Sequence, residues 1–232
     1  MSNKKFIYII VEGDSDESYV YAIIDELMEL NNIDIMVVRG DLFTQNCKIK
    51  NTIGNFVKTK ILDIYNLEEE DISMIIQVTD IDGVYIEEDC ILIDSEVERI
   101  EYNSQGIKVC DENKKAEIAS RNKRKVSNLN PMINTKVMKI DYYLLYNSCN
   151  LEHLIFNEAN LEADKKVDSI DKHILSKTRQ ELLDELEPFC LYEGEDIAEQ
   201  YRNSWTTIKS ERQCIPRATN LPLIIDLILS KT

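Results

Sequence analysis

Residues that punctuate loops or build soft-metal and redox centres are scarce in this chain. It has six glycines, four prolines, two histidines and one tryptophan in 232 residues. The histidines, His153 and His173, stand too far apart in sequence for a helical metal pair. Six cysteines (Cys47, Cys90, Cys110, Cys149, Cys190 and Cys214) are scattered without a Cys-x-x-Cys pair. That spacing gives no zinc site and suits the reduced thiols of a cytoplasmic protein. No stretch approaches the roughly 18 apolar residues of a membrane span, so no membrane contact is expected. Met1–Phe6 leads into a strand without a small-residue cleavage site, which argues against a signal peptide. A Gly-x-x-x-x-Gly-Lys-Ser/Thr phosphate loop is missing, so an ATPase acting with this chain would be a separate protein. Positive charge is also short: 27 Lys and Arg face 43 Asp and Glu, for a formal net charge of −16. Such acidity disfavours tight nonspecific DNA binding, yet it leaves phosphodiester chemistry open, because divalent ions bridge acid to phosphate.

What the chain does have is a hydrophobic content of 44% with 30% charged residues, ordinary for a globular protein able to bury a sizeable core. Two stretches share one design. Ile7–Val11 is an apolar run that ends abruptly in Glu12-Gly13-Asp14-Ser15-Asp16-Glu17. Ile75–Thr79 runs into Asp80-Ile81-Asp82-Gly83. Each reads as a strand buried on both faces that stops at a functional loop. Ligands collect beyond the carboxyl ends of such strands in an open parallel sheet. On neighbouring strands, Glu12, Asp80 and Asp82 would converge and repel one another unless a cation sat between them. Hard divalent ions prefer oxygen ligands, so a magnesium site is expected.

The remaining pattern is β-α-β-α-β. Asp14 and Glu17 have capping-box spacing at a helix start, and Asn31-Asn32 is expected to end that helix. A strand is expected over Ile33–Arg39, a helix over Lys50–Tyr65, and further strands over Ile72–Thr79 and Lys139–Tyr146. The order predicts right-handed crossovers and a parallel sheet with helices on both faces. Between the last two strands, Cys90–Ile93, Arg99–Tyr102 and Ile107–Cys110 look extended around a turn at Asn103–Gly106, which suggests a hairpin. Lys114, Lys115, Arg121, Lys123, Arg124 and Lys125 then form the one concentrated basic stretch, either a solvated helix face or a phosphate contact. Tyr142, Tyr143 and Tyr146 read as core. Arg212 and Arg217, beside Lys209, fit phosphate contact and helix packing equally well. Beyond residue 150 the chain reads as helical, roughly over 168–186, 196–212 and 221–229.

Val11-Glu12-Gly13-Asp14-Ser15-Asp16-Glu17 with Thr79-Asp80-Ile81-Asp82 resembles the TOPRIM fold of primases, topoisomerases and small nucleases. Within it the chain is most similar to the RloB-like and overcoming-lysogenization-defect nucleases, which are linked to bacterial phage defence. Asn147-Ser148-Cys149-Asn150-Leu151-Glu152 is similar to the Ser-Asn-Pro-x-Phe-Glu pattern of RloB-like proteins, without its proline and with Leu151 for the aromatic. The resemblance covers about residues 6–156. It implies a TOPRIM-like, Rossmann-like α/β domain over residues 1–156 with an insertion at about 84–136, and a helical elaboration over 157–232 packed on it. By the same resemblance, Glu12 is a general acid/base or metal ligand, and Asp80 and Asp82 are the metal-binding pair. Asp16 is then a second acid and Glu152 a further ligand.

The implied function is a Mg²⁺- or Mn²⁺-dependent nuclease of DNA or RNA in an anti-phage system, with a separate ATPase as partner. A non-catalytic interaction module for such an ATPase and a ribosomal-RNA maturation nuclease are the alternatives. Self-association, substrate type and the number of metal ions are left open.

Overall fold

The computed structural model describes residues 5–30, 33–43 and 48–231. Asn31-Asn32 and Cys47, singled out above, lie outside the described residues. Strand β1 (Lys5–Val11) leads to helix α1 (Asp14–Leu30) and strand β2 (Ile33–Arg39). Helix α2 (Ile49–Val57) continues through a π-helical turn, Lys58–Leu62, into α3 (Asp63–Tyr65), and the chain returns as β3 (Ile72–Asp80). The insertion carries β4 (Ile91–Ile93), β5 (Glu101–Asn103), β6 (Gly106–Val109) and the long α4 (Glu112–Leu129). A hairpin of β7 (Thr135–Val137) and β8 (Ile140–Asn147) precedes the helices α5 (Leu151–Phe156), α6 (Ala163–Leu175), α7 (Arg179–Asp184), α8 (Ile197–Ser210) and α9 (Leu223–Leu229). No described helix is long and apolar enough to cross a membrane.

The main sheet has the order β2-β1-β3-β8-β7, flanked by helices. Its first four strands are parallel, and β7 runs antiparallel to β8. The four strands expected from sequence are thus parallel, and β7 adds an antiparallel edge strand that was not expected. There the chain reverses at Met138, whose φ of 56° is a left-handed backbone that needs no glycine here but carries none of the usual turn residues. The expected hairpin in the insertion forms between β5 and β6, and β4 joins β6 in parallel to make a second, small sheet.

Burial explains why β1 and β3 are central. Ile7–Val11 are fully enclosed, as are Met74, Ile75 and Ile76, so both strands meet apolar side chains on each face. One continuous core joins these strands to α1, α8 and α9 through Tyr19, Ile23, Tyr201, Trp205, Ile224 and Ile228. Tyr142 and Tyr146 belong to that core, the latter packed on Trp205 with ring centroids 4.7 Å apart.

The helical tail also closes the sheet. Strand β7 pairs with β8 only as far as Tyr142, so later backbone groups on that side need other partners. The Leu144 N–H donates to the Tyr201 hydroxyl, and Trp205 Nε1 donates to the Leu144 carbonyl, both at 3.0 Å. Tyr146 N–H donates to Asn220 Oδ1 at 2.7 Å, and Thr219 Oγ1 to the Tyr146 carbonyl at 2.9 Å. These side chains seal an edge that would otherwise template pairing with another chain.

Candidate functional site

Placing β1 beside β3, and β3 beside β8, brings three strand ends to one rim of the sheet. Glu12 follows β1, Asp80 ends β3, and Asn147 ends β8 directly opposite Asp80 in register. Thr79 donates a hydrogen bond from Oγ1 to Glu12 Oε1 across the β1/β3 boundary. Asn147 Nδ2 donates to Asp80 Oδ1 at 3.1 Å. Glu12, Asp80 and Asp82, expected to share one volume, lie at this rim, where Glu12 and Asp82 act electrostatically on Asp80.

The Asp80–Gly83 turn is held against the segment that follows β8. Backbone N–H groups of Ile81, Asp82 and Gly83 donate to the carbonyls of Asn147, Cys149 and Ser148 at 2.9, 3.3 and 2.9 Å. Asp82 and Gly83 both take left-handed backbone angles, φ 51° and 61°. An aspartate tolerates that region. At Gly83 a Cβ would also come within 2.6 Å of Ile215, so glycine is required there for space as well as conformation.

Asp16 and Glu152 complete the acidic group. Asp16 is 8% exposed, and its Oδ2 accepts the Gly13 N–H at 3.1 Å. Asp14 and Glu17, expected as the two ends of a capping box, both ion-pair with Arg39, Glu17 through Oε2 at 3.1 Å. Glu152 is 1% exposed; Ser15 Oγ donates to its Oε1 at 3.2 Å and Lys166 Nζ to its Oε2 at 2.8 Å.

Electrostatics follow from this crowding. Burial pushes the Glu12 carboxyl up to about 7; Lys125 and the Thr79 hydrogen bond oppose that rise, and Asp82 adds to it. Burial and then Glu152 push Asp16 up to about 6. Asp80 is held well above the carboxylate range by burial and by Asp16, Glu12 and Asp82 together. These are the shifts expected of carboxyls that share a recessed volume.

The basic stretch does not stay together. On α4, Lys123 and Arg124 are exposed, while Lys114, Lys115 and Arg121 are half-buried. Lys114 pairs with Glu117 at 2.7 Å and Lys123 with Glu88 at 3.3 Å. Lys125 departs from the surface position expected of it. It is 2% exposed, and its Nζ donates to the Asp80 carbonyl at 2.5 Å and to Asp82 Oδ2 at 2.6 Å. Burial opposes its charge, but Asp82, Glu12 and Asp80 outweigh that and hold the ammonium above its ordinary range. A signal for this was present: Ile118, Asn122, Lys125 and Leu129 fall at i, i+4, i+7 and i+11, one buried stripe of the helix. Arg121 NH2 reaches the Asp82 carbonyl at 3.4 Å, so two cations of α4 touch the Asp80–Gly83 turn.

Lys166 was not singled out from sequence. Its pairing with Glu152 depends on where α6 docks against α1, which no local spacing announces. His153 is enclosed, and burial with Arg217 lowers it to about 4, so it is neutral near pH 7. Arg217 turns inward, donating to the Leu154 carbonyl and lying 4.0 Å above the Phe189 ring. Lys209 lies over Trp205, and Arg212 remains exposed.

The donor chemistry of Glu12, Asp16, Asp80, Asp82 and Glu152 suits a hard divalent ion: all are oxygen donors, crowded and mutually repelling. Among the described residues, no three His, Cys, Asp or Glu side chains are drawn together closely enough to hold a metal ion. Lys125 and Lys166 hold Asp82 and Glu152 in this arrangement, so engaging an ion would require those side chains to turn toward it. No known protein-family model matches the chain, and neither a curated protein nor a solved structure shows significant similarity to it.

Proposed function

We propose that the chain is a TOPRIM-like, divalent-metal-dependent nuclease that hydrolyses phosphodiester bonds of DNA or RNA. The observation that carries the reading is the gathering of Glu12, Asp80 and Asp82 at the carboxyl ends of the adjacent parallel strands β1 and β3. The strand order β2-β1-β3-β8 and the Asp16 and Glu152 carboxyls beside that group support it further. Magnesium or manganese is the expected ion, held by oxygens of Glu12, Asp16, Asp80, Asp82 and Glu152. When bound, such an ion polarises a phosphoryl oxygen and activates water.

The chain's own groups supply the rest. Glu12, pushed up to about 7, is poised to accept a proton from attacking water near neutral pH. Its Oε1 is held by Thr79, which fixes the carboxyl plane. Lys125, anchored by Asp82 and the Asp80 carbonyl, keeps a fixed positive charge beside the acidic group, of the sign that stabilises a leaving oxygen. In this reading the exposed Lys123 and Arg124 meet the phosphate backbone, and the protein works in the cytoplasm with a separate ATPase against phage.

One observation favours a second reading. Lys125 and Lys166 already neutralise Asp82 and Glu152, as they would in a non-catalytic TOPRIM-like module that binds a partner ATPase. Purified protein incubated with plasmid, single-stranded DNA and tRNA, with and without Mg²⁺, separates the two. Cleavage that needs Mg²⁺ and disappears in Asp80→Ala supports the nuclease; intact substrates under every condition leave the module.

A further inference from the structure

A cleft of about 650 Å³ opens between β5 of the insertion and the segment that joins α5 to α6. Asn160 ties those two walls together: its Oδ1 accepts the Tyr102 N–H at 2.7 Å, and its Nδ2 donates to the Tyr102 carbonyl at 2.8 Å. At about 30 Å³ each the cleft would hold roughly 22 waters, close to the number of non-hydrogen atoms in one nucleotide. Each wall also leads to the acidic group. His153 directly follows Glu152 in the chain. The Tyr102 hydroxyl accepts Arg121 NH1 at 2.6 Å, and NH2 of that guanidinium reaches the Asp82 carbonyl.

His153 lines the cleft with a ring that nothing engages. The residue is 7% exposed, and neither ring nitrogen has a hydrogen-bond partner among the described residues. Nδ1 is enclosed and Nε2 is not, so Nε2 is the nitrogen that opens on the cleft. A largely buried polar atom without a partner is costly, and a ligand that reaches Nε2 supplies one. Arg99, exposed at the rim, pairs with no described acid, and its NH2 donates to the Asn160 carbonyl at 3.4 Å. Lys165 and Glu162 beside it pair with each other at 2.6 Å, which leaves the Arg99 charge uncompensated. Glu158, the other acid of the lining, is exposed to solvent.

We propose that this cleft holds one nucleotide of a single-stranded nucleic-acid substrate, its phosphate on Arg99 and its nucleoside against His153 Nε2. This rests on the nuclease reading and deepens it by naming the form of the substrate. An arginine fork matches the oxygens of a phosphate, and Asn103 and Ser104 offer polar atoms to sugar and base. A base still paired in a duplex would carry its partner strand into walls that Asn160 holds together, so the nucleotide is unpaired. Glu152 and His153 are consecutive, with Cα atoms about 3.8 Å apart, and the nucleotide therefore lies next to the acidic group.

The chain has two histidines, so the magnetic-resonance signals of the His153 ring are assigned by their loss in His153→Phe. In EDTA, a short single-stranded oligonucleotide should shift those signals and leave the His173 signals in place, whereas the same sequence as a duplex should move neither. Ser104→Trp, which fills the cleft from an exposed turn, should abolish the shift. By fluorescence anisotropy, Arg99→Gln should weaken single-strand binding about tenfold, the low end for a hydrogen bond to a charged group, and His153→Phe about three- to tenfold. An unmoved His153, an equal shift with duplex, or an affinity that Arg99→Gln and Ser104→Trp leave unchanged overturns the subsite. So does a shift with 5′-AMP and none with the oligonucleotide, which would give the cleft to a free nucleotide. Mg²⁺-dependent cleavage alongside any of those results would sink the subsite alone. A His153 shift and weakened variants without cleavage would sink the nuclease reading and leave the subsite standing.

Discussion

The Lys125 ammonium lies 2.6 Å from Asp82 Oδ2 and 2.5 Å from the Asp80 carbonyl, on a side chain only 3% exposed. A charge this enclosed survives only because the carboxyls around it compensate it. Lys125→Met keeps the length of the side chain and removes that compensation. Stability to urea should fall by about 3 kcal/mol, the low end for breaking a buried pair, because Asp82 itself is partly exposed. Added Mg²⁺ should then raise the melting temperature more in Lys125→Met than in wild type, since the ion takes over the role of the lost ammonium. Equal shifts would separate Lys125 from the acidic group.

Asp80 and Asp82 should behave oppositely when removed. From sequence alone, deleting either acid is expected to relieve repulsion and to raise the melting temperature without metal. The structure keeps that expectation for Asp80 only, whose carboxyl faces Asp16, Glu12 and Asp82 and, among the described residues, accepts a hydrogen bond from Asn147. Asp80→Asn should therefore be neutral or stabilising in EDTA. Asp82→Asn should destabilise, by about 2 kcal/mol or more, because it leaves the Lys125 charge underpaired. Both substitutions should abolish Mg²⁺-dependent cleavage. Thermal melts with and without EDTA check the sign for each.

The raised carboxyls give a pH dependence of definite sign. Glu12 rises from its ordinary 4.5 to about 7, and Asp16 from 3.8 to about 6. Up to about pH 6 these two carboxyls hold more extra protons in the folded chain than His153, lowered to about 4, gives up there, so stability falls as pH rises. Without divalent ions, the melting temperature should therefore decline from about pH 5 to pH 6. Glu12→Gln should flatten the upper part of that decline. A wild-type profile that rises steadily from pH 5 to 7 would contradict the crowding of these groups.

Much of the frame was readable because burial on both faces writes a continuous apolar run. Ile7–Val11 and Ile72–Thr79 are strands as expected, and Ile33–Arg39 matches to the residue. The β7–β8 hairpin was not readable, since Met138 makes its reversal without a glycine or asparagine. Within the site, Glu12, Asp80 and Asp82 were legible because each closes or follows a strand. Lys125 was misplaced for a physical reason. A run of charges is counted along the chain, whereas a helix turns each successive residue by about 100°, sending Lys123 and Arg124 outward and Lys125 inward. Ser15, Thr79, Asn147 and Lys166 hold the acids in place through contacts between distant segments, which carry no local spacing.

That division of α4 sharpens the test of how so acidic a chain would meet a polyanion. Lys123 and Arg124 are exposed, Lys125 is not, and a substitution of all three would confound lost binding with lost stability. The informative variant is Lys123→Ser with Arg124→Ser, leaving Lys125 in place. Its unfolding should match wild type, because the Lys123–Glu88 pair is exposed and such pairs contribute little. Binding to duplex DNA should weaken, and the slope of log K against log salt should shrink by about 0.9 for each phosphate contact removed. A shift near 1.8 would mean that both side chains touch the backbone, and a shift near 0.9 that one does. An unchanged slope would mean that this face of α4 is only solvated. Any phosphate contact would then have to come from another surface.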